Sequence, residues 1–252
     1  MELLSVVIIT FNEEKNIGRC IDSLAGVADE ILILDSNSTD NTAEIARQKG
    51  ATVYQQAFLG YVEQKNKALS LAKHNLVLSL DADEALDKVL RDSILSVKNN
   101  FQYRGYIMNR CNNYCGKFIR HGSWYPDSRM RLVDKSVAQW SGDNPHDVLT
   151  FTSPQAKKHL KGNILHYSFN SFEEHAAQNN KFSSISADSL FKRGKKTNLF
   201  KVVFNPFWAF IRSYLVRLGF LDGFYGFVIA VNIAHLTFLK HSKLYKKKKT
   251  IL

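Results

Sequence analysis

Two carboxylates one residue apart, in Asp81-Ala82-Asp83, directly follow the apolar run Leu76-Val77-Leu78-Ser79-Leu80. Mg2+ or Mn2+ takes carboxylate oxygens and keeps positions open for phosphate and water, so a pair leaving a buried strand can serve it. A cation there would act as a Lewis acid on charge building at a departing diphosphate. Asp-x-Asp alone is also a common solvated loop or helix cap. Two other polar stretches after apolar runs add weight: Thr10-Phe11-Asn12-Glu13-Glu14 after Ser5-Val6-Val7-Ile8-Ile9, and Asp35-Ser36-Asn37-Ser38-Thr39-Asp40 after Ile31-Leu32-Ile33-Leu34.

Asp35 can accept a hydrogen bond from the ring N–H of a uracil, whereas Asp40 reads as an ordinary helix cap. Thr10, Asn12 and Glu13 would line the same crevice. Lys65, in Gln64-Lys65-Asn66, is placed to meet base or phosphate, with a plain surface lysine as the rival reading. Arg129 and Arg131 alternate with Met130 and Leu132, so on a strand they share one face. Two guanidiniums together suit a diphosphate or an anionic acceptor, and a surface strand is the plainer alternative. His166 is a candidate further metal ligand beside Asp83, although a lone histidine is more often structural.

These residues need a scaffold, and the first 85 residues supply its pattern. Continuous β-branched runs of the kind found in covered parallel strands alternate with helical spacing at Ile17, Cys20, Ile21 and Leu24, then at Ala43, Ile45 and Ala46, then over residues 63–73. The order β-α-β-α-β-α-β predicts an α/β fold with a doubly wound, mostly parallel sheet. Ligands of such sheets bind beyond the carboxyl ends of the strands, where the polar stretches fall. No Gly-x-Gly-x-x-Gly and no Gly-Lys-Ser/Thr loop occurs, which disfavours dinucleotide and P-loop folds. The absence of a Gly-rich loop after the first strand also disfavours a nucleotidyltransferase.

The three motifs in order, Ser-Val-Val-Ile-Ile-Thr-Phe-Asn-Glu-Glu, Ile-Leu-Asp-Ser-x-Ser-Thr-Asp and Leu-Asp-Ala-Asp-Glu, resemble those of the family 2 glycosyltransferases, which have the GT-A fold. Trp124-Tyr125-Pro126-Asp127, Arg129-x-Arg131-Leu132 and Pro145-His146-Asp147 look like the subgroup of lipopolysaccharide core β-glucosyltransferases. The resemblance spans roughly residues 4–190. It implies a UDP-sugar donor and single displacement with inversion. Asp35 would hold the base, Asp81 the ribose or metal region, and Asp83 the metal. It also implies a general base after the Asp-x-Asp. Asp147 is the candidate, Asp143 its rival, a structural loop acid the alternative, and His146 could orient the acceptor. The implied reaction moves a hexose, glucose in the subgroup, to a lipopolysaccharide core or other lipid-linked glycan. Transfer to polyprenyl phosphate or a protein side chain, and a non-catalytic membrane adaptor, stay open.

The charge balance splits the chain. Of the net +11, residues 1–180 carry −1, whereas residues 181–252 hold 14 Lys and Arg against Asp188 and Asp222 alone. Ten aromatics fall within residues 199–229, interleaved with Lys201, Arg212 and Arg217. This aromatic, basic pattern predicts a C-terminal helical extension lying on an anionic membrane surface rather than a nucleic-acid partner. Residues 220–239 are long enough to span a bilayer but include Asp222, Asn232 and His235. The expected division is a catalytic domain over 1–168 and a membrane-associating region over 169–252. Three cysteines make no disulfide framework, and the N-terminal apolar run reads as a strand rather than a signal peptide. The expected location is cytoplasmic, peripheral on the inner face of the plasma membrane.

Overall fold

A computed structural model describes residues 1–142 and 147–249, with side chains through residue 247. Asp143 and His146, and the side chains of Lys248 and Lys249, lie outside the described residues. In chain order the elements are β1 Leu4–Thr10, α1 Ile17–Asp22, β2 Glu30–Asp35, α2 Thr42–Gln48, β3 Thr52–Gln55, α3 Tyr61–Leu71, β4 Leu76–Asp81, β5 Glu84–Leu86 and α4 Lys88–Asn99. There follow β6 Gly105–Tyr114, β7 Lys117–Phe118, β8 Asp127–Asp134, β9 Ala138–Ser141, β10 Val148–Phe151, β11 Lys157–Phe169, α5 Phe172–Lys192, α6 Leu199–Ile211 and α7 Gly223–Lys249. The chain forms two compact units, one of Met1–Arg110 with Asp127–His166, the other of Cys111–Pro126 with Tyr167–Leu252. A single cut after residue 168 therefore leaves out the excursion at 111–126, which carries no compositional mark.

In the first unit the sheet order begins β3-β2-β1-β4 with every pair parallel, the doubly wound half expected of the sequence. Both faces of β1 are covered: Val6 and Ile8 pack with Ile17, Ile21, Leu90 and Ile94, while Val7 packs with Leu32, Ala68, Val133 and Trp140. This two-sided burial is why the strands read as continuous apolar runs rather than alternating ones.

Beyond β4 the sheet turns antiparallel. β8 pairs with β4 with Leu132 opposite Leu78, and β6 pairs with β8 with Arg110 opposite Asp127. Because β8 runs against β4, its early residues Asp127–Arg131 come alongside the carboxyl rim where β4 ends. A hairpin of β9 and β10 adds Trp140 and Leu149 to the core face that carries α3.

The end of β11 pairs antiparallel with β5, with His166 opposite Glu84. One close approach fixes this register. Gly162, at φ +94, lies against the first turn of α4, where a Cβ would stand 2.2 Å from the Leu90 backbone nitrogen. Asp87 completes the joint: its carboxylate caps α4 at the Leu90 N–H (2.7 Å) and accepts from the Asn163 backbone (2.9 Å) and side-chain amide (3.0 Å).

The second unit gathers its core around Tyr114, whose ring lies 5.4 Å from Trp124, 5.9 Å from Phe169, 5.2 Å from His175 and 6.2 Å from Tyr225 between centroids. The Tyr114 hydroxyl is 2.9 Å from His175 Nδ1, and burial pushes the imidazole pKa down to about 4. Asp222 is buried as well. Its carboxylate accepts from the backbone N–H groups of Arg120 (3.1 Å) and His121 (2.8 Å), so an acid costly at membrane depth is satisfied within the protein. By length and composition Gly219–Lys247 is apolar enough to cross a membrane. α6 exposes Leu199, Phe200, Val203, Phe204, Phe207 and Trp208.

Gly162→Ala combines a disfavoured left-handed backbone with a clash against α4. It is expected to lower stability by about 2 kcal/mol or more, read as a shift in the urea midpoint.

Candidate active site

The parallel register sets the site. Thr10 pairs with Asp35 across β1 and β2, and Ile9 pairs with Asp81 across β1 and β4, so all three polar strand ends share one rim. Two cavities open there. The first, about 460 Å3, is lined by residues including Thr10, Glu13, Ser36, Asp81, Asp83 and His166. The second, about 740 Å3, is lined by residues including Lys65, Asp81, Arg129, Arg131, Trp140 and Asp147. Asp81 and Tyr61 line both.

In the first cavity His166 Nε2 lies 3.1 Å from Asp83 Oδ2. Both side chains are partly exposed, and the β5–β11 pairing brings them together from distant stretches of chain. Among the described residues no three His, Cys, Asp or Glu side chains cluster to enclose a metal. Asp83 and His166 are a two-sided offer in an open cavity, which suits a cation that completes its shell with phosphate oxygens and water. Thr10 is 5% exposed, and its hydroxyl has no partner among the described residues. Burial raises the pKa of Glu13; the Asn16 amide (2.7 Å) opposes the rise and the charge of Asp83 adds to it.

Asp35 is fully buried, and its carboxylate accepts from the Ser38 backbone N–H (2.9 Å) and hydroxyl. Asp35 itself lines neither cavity. Ser36, next along, lines the cavity and accepts from Gln64 Nε2 at 3.0 Å. Asn12 does not line either cavity. Left-handed at φ 54, it ties two strand ends together, with its N–H on Ser38 Oγ (2.9 Å) and its Oδ1 accepting from the Thr39 N–H (2.8 Å). Asparagine tolerates this backbone region and supplies both kinds of hydrogen-bonding group, so its place is structural in this geometry.

Lys65 is buried, which removes the surface-lysine reading. Its ammonium sits 2.9 Å from Asp81 Oδ1, 2.8 Å from Asp147 Oδ2 and 4.4 Å from the Trp140 ring centroid. Arg131 Nη2 lies 3.1 Å from Asp81 Oδ2 and 3.1 Å from Glu84 Oε1. Burial opposes ionisation of Asp81, but Lys65 and Arg131 outweigh it and hold the carboxyl well below the usual carboxylate range. Burial likewise disfavours the Arg131 charge, and Glu84 and Asp81 more than restore it.

Arg129 and Arg131 share a face of β8 as their spacing predicts, and both line the second cavity rather than the one holding Thr10, Glu13 and Asp83. Arg129 Nε is 2.8 Å from Asp127 Oδ1, and Arg110 closes on the other carboxylate oxygen at 2.9 Å.

Three residues of this site escaped sequence reasoning. Glu84, 1% exposed, accepts from the Asp81 backbone N–H at 3.0 Å as well as from Arg131. It stood in the Asp-Ala-Asp-Glu string, but nothing in the string separates a buried anchor from a solvated neighbour. Trp140 and Arg110 come from irregular sequence without helical or strand periodicity.

The glycosyl transferase family 2 model matches residues 5–129. An uncharacterized glycosyltransferase of Rickettsia typhi is 34% identical over 97% of this chain and 87% of its own length. The lipopolysaccharide core biosynthesis glycosyltransferase LpsC of Rhizobium meliloti is 29% identical over 97% of this chain and 92% of its own. Among solved structures, glucosyl-3-phosphoglycerate synthase from Mycobacterium tuberculosis, in complex with Mn2+, UDP and glucosyl-3-phosphoglycerate, aligns with a TM-score of 0.48 at 16% identity, over 78% of this chain and 82% of that one. With its strand-end carboxylates on one rim and near-full-length relatives above 30% identity, the chain belongs to glycosyl transferase family 2.

Proposed function

We propose that this glycosyltransferase moves a hexose from a UDP-sugar, with inversion, to a hydroxyl of a lipopolysaccharide core or other lipid-linked glycan. One observation carries the reading: two cavities meet at Asp81 and Tyr61, with the Asp83–His166 pair in one and Asp147 in the other. The first has the groups for a nucleoside diphosphate, namely the Thr10 hydroxyl, the Ser36 rim above Asp35, and apolar surface from Phe11 and Phe58. Asp83 and His166 would hold Mg2+ or Mn2+, which when bound supplies charge neutralisation on the diphosphate. The likeness to LpsC supports the glycan class.

In this reading the acceptor hydroxyl oxygen forms a bond to the anomeric carbon while the bond from that carbon to the diphosphate oxygen breaks. UDP departs with the electron pair, and the hydroxyl proton passes to Asp147. Lys65 suits that task. It holds the Asp147 carboxylate in place at 2.8 Å before the proton arrives, and Asp81 still partners it afterwards, so no buried ammonium is left unpaired.

The second unit supplies the membrane-facing chemistry. The exposed apolar side chains of α6 would enter the headgroup layer, and the basic excess of residues 181–252 would meet anionic lipid, worth about 1 kcal/mol per basic residue near the surface. In this reading the enzyme sits peripherally on the inner face of the plasma membrane.

Asp83→Asn should keep the fold and cut transfer about a thousandfold; wild-type turnover in this variant would remove the metal assignment. With Asp147→Asn, UDP binding should persist while turnover falls about 10²–10⁴-fold, and an unchanged rate would end its role as base. Flotation with vesicles of phosphatidylglycerol should weaken at least tenfold for Phe204→Glu combined with Phe207→Glu. Equal partitioning would move the contact away from α6.

A further inference from the structure

The second cavity is short of hydrogen-bond acceptors in a particular way. Four buried donors on its lining residues make no hydrogen bond among the described residues; Arg129 Nε still has the Asp127 carboxylate at 2.8 Å, which leaves Arg131 Nε, Arg131 Nη1 and Trp140 Nε1 with no acceptor. Arg131 is 4% exposed and Trp140 5%, so neither is bathed in solvent. An unmet buried donor costs about 1–3 kcal/mol, which a structure tolerates where a ligand completes the bond.

Neither side chain is free to turn elsewhere. Both ion pairs of Arg131, to Asp81 and Glu84, run through the single nitrogen Nη2, which anchors the guanidinium and leaves its other two nitrogens to spare. Trp140 is fixed by its backbone: Asn66 Nδ2 donates to its carbonyl and Asn66 Oδ1 accepts from its N–H, both at 2.9 Å. The indole face meets Lys65 at 4.4 Å and Arg131 at 5.3 Å. The donors are therefore held in place before any ligand arrives.

All three unmet groups can only donate. A neutral sugar hydroxyl both donates and accepts, whereas a carboxylate or phosphate only accepts, and fits this set without leaving a proton unmatched. Charge agrees. Lys65, Arg110, Arg129, Arg131 and Lys157 line the cavity, against the carboxylates of Asp81 and Asp147. Lys157 carries no ion pair among the described residues.

We infer that this cavity is an acceptor subsite for a sugar bearing an anionic group, a carboxylate or a phosphate ester, held by Arg131 and the Trp140 indole. The inference rests on the transferase reading, because it takes the Asp147 cavity as the acceptor side. Arg129 and Arg131 then select the acceptor rather than grip the donor's diphosphate.

The test uses the indole N–H signals of the full-length protein in ¹⁵N-labelled form. The chain has three tryptophans, and Trp140→Phe assigns the signal wanted. D-glucuronate and D-glucose 6-phosphate are titrated beside D-glucose, and UDP with Mn2+ is titrated separately by calorimetry. One or both anionic sugars should move the Trp140 signal at concentrations at least tenfold below those D-glucose needs. A response to glucuronate alone assigns a carboxylate and a response to the phosphate ester alone assigns a phosphate; either supports the subsite. Arg131→Lys keeps the charge but loses the spare donors and should erase the preference. If that variant does not fold, Arg129→Gln at the cavity mouth should weaken the anionic sugars several-fold. Equal response to D-glucose, or no movement with either anionic sugar, overturns the inference even if UDP and Mn2+ bind normally. Failure of UDP to bind while the anionic sugars still move Trp140 would instead sink the transferase reading and leave the anion site standing.

Discussion

A row of alternating charges, Glu84, Arg131, Asp81, Lys65 and Asp147, runs through the rim of the sheet, each touching the next at about 3 Å. Most of it is buried, so no member can lose its neighbour without stranding a charge, a loss of about 3–5 kcal/mol in such settings. That constraint explains why the surrounding architecture is so specific. The antiparallel turn of the sheet after β4 brings Arg131 beside Asp81, α3 delivers Lys65, and Asp147 stands immediately before β10. The row also links the two cavities, because Asp81 faces both while its neighbours Lys65 and Arg131 belong to the second.

In the proposed reading such an arrangement separates the tasks of binding and chemistry. The first cavity has an imidazole, carboxylates and hydroxyls. The second is rich in fixed cations and aromatic surface. Preorganised charge of this kind stabilises developing charge without reorganising at the moment of reaction, which is worth most where water is excluded.

Much of the first unit was legible in the sequence. Strands buried on both faces leave unbroken apolar runs, and their polar ends mark one rim, so Thr10, Asp35 and Asp81 group together on the sequence alone. His166 was legible only as a type, and its meeting with Asp83 depends on a strand pairing that no local pattern encodes. Asn12 shows the reverse failure. It stands in the right string, but its side chain is spent on the Thr39 backbone. Lys65, expected to meet base or phosphate, has carboxylates of the protein itself as its partners. Trp140 and the excursion at 111–126 were invisible because irregular sequence carries no period, and their positions follow from long-range packing. In the second unit Asp222 argued on composition against a simple membrane span, and its burial against the 120–121 backbone supplies the reason such an acid is tolerated.

The contact between Gly162 and the first turn of α4 has a reach beyond its own surroundings. Side chains on a strand alternate between faces, so sliding β11 by a single position would exchange His166 for Leu165 or Tyr167 over the first cavity. An imidazole would give way to a hydrocarbon or a phenol. A missing methyl group, four residues upstream, thus guards which element of chemistry is displayed.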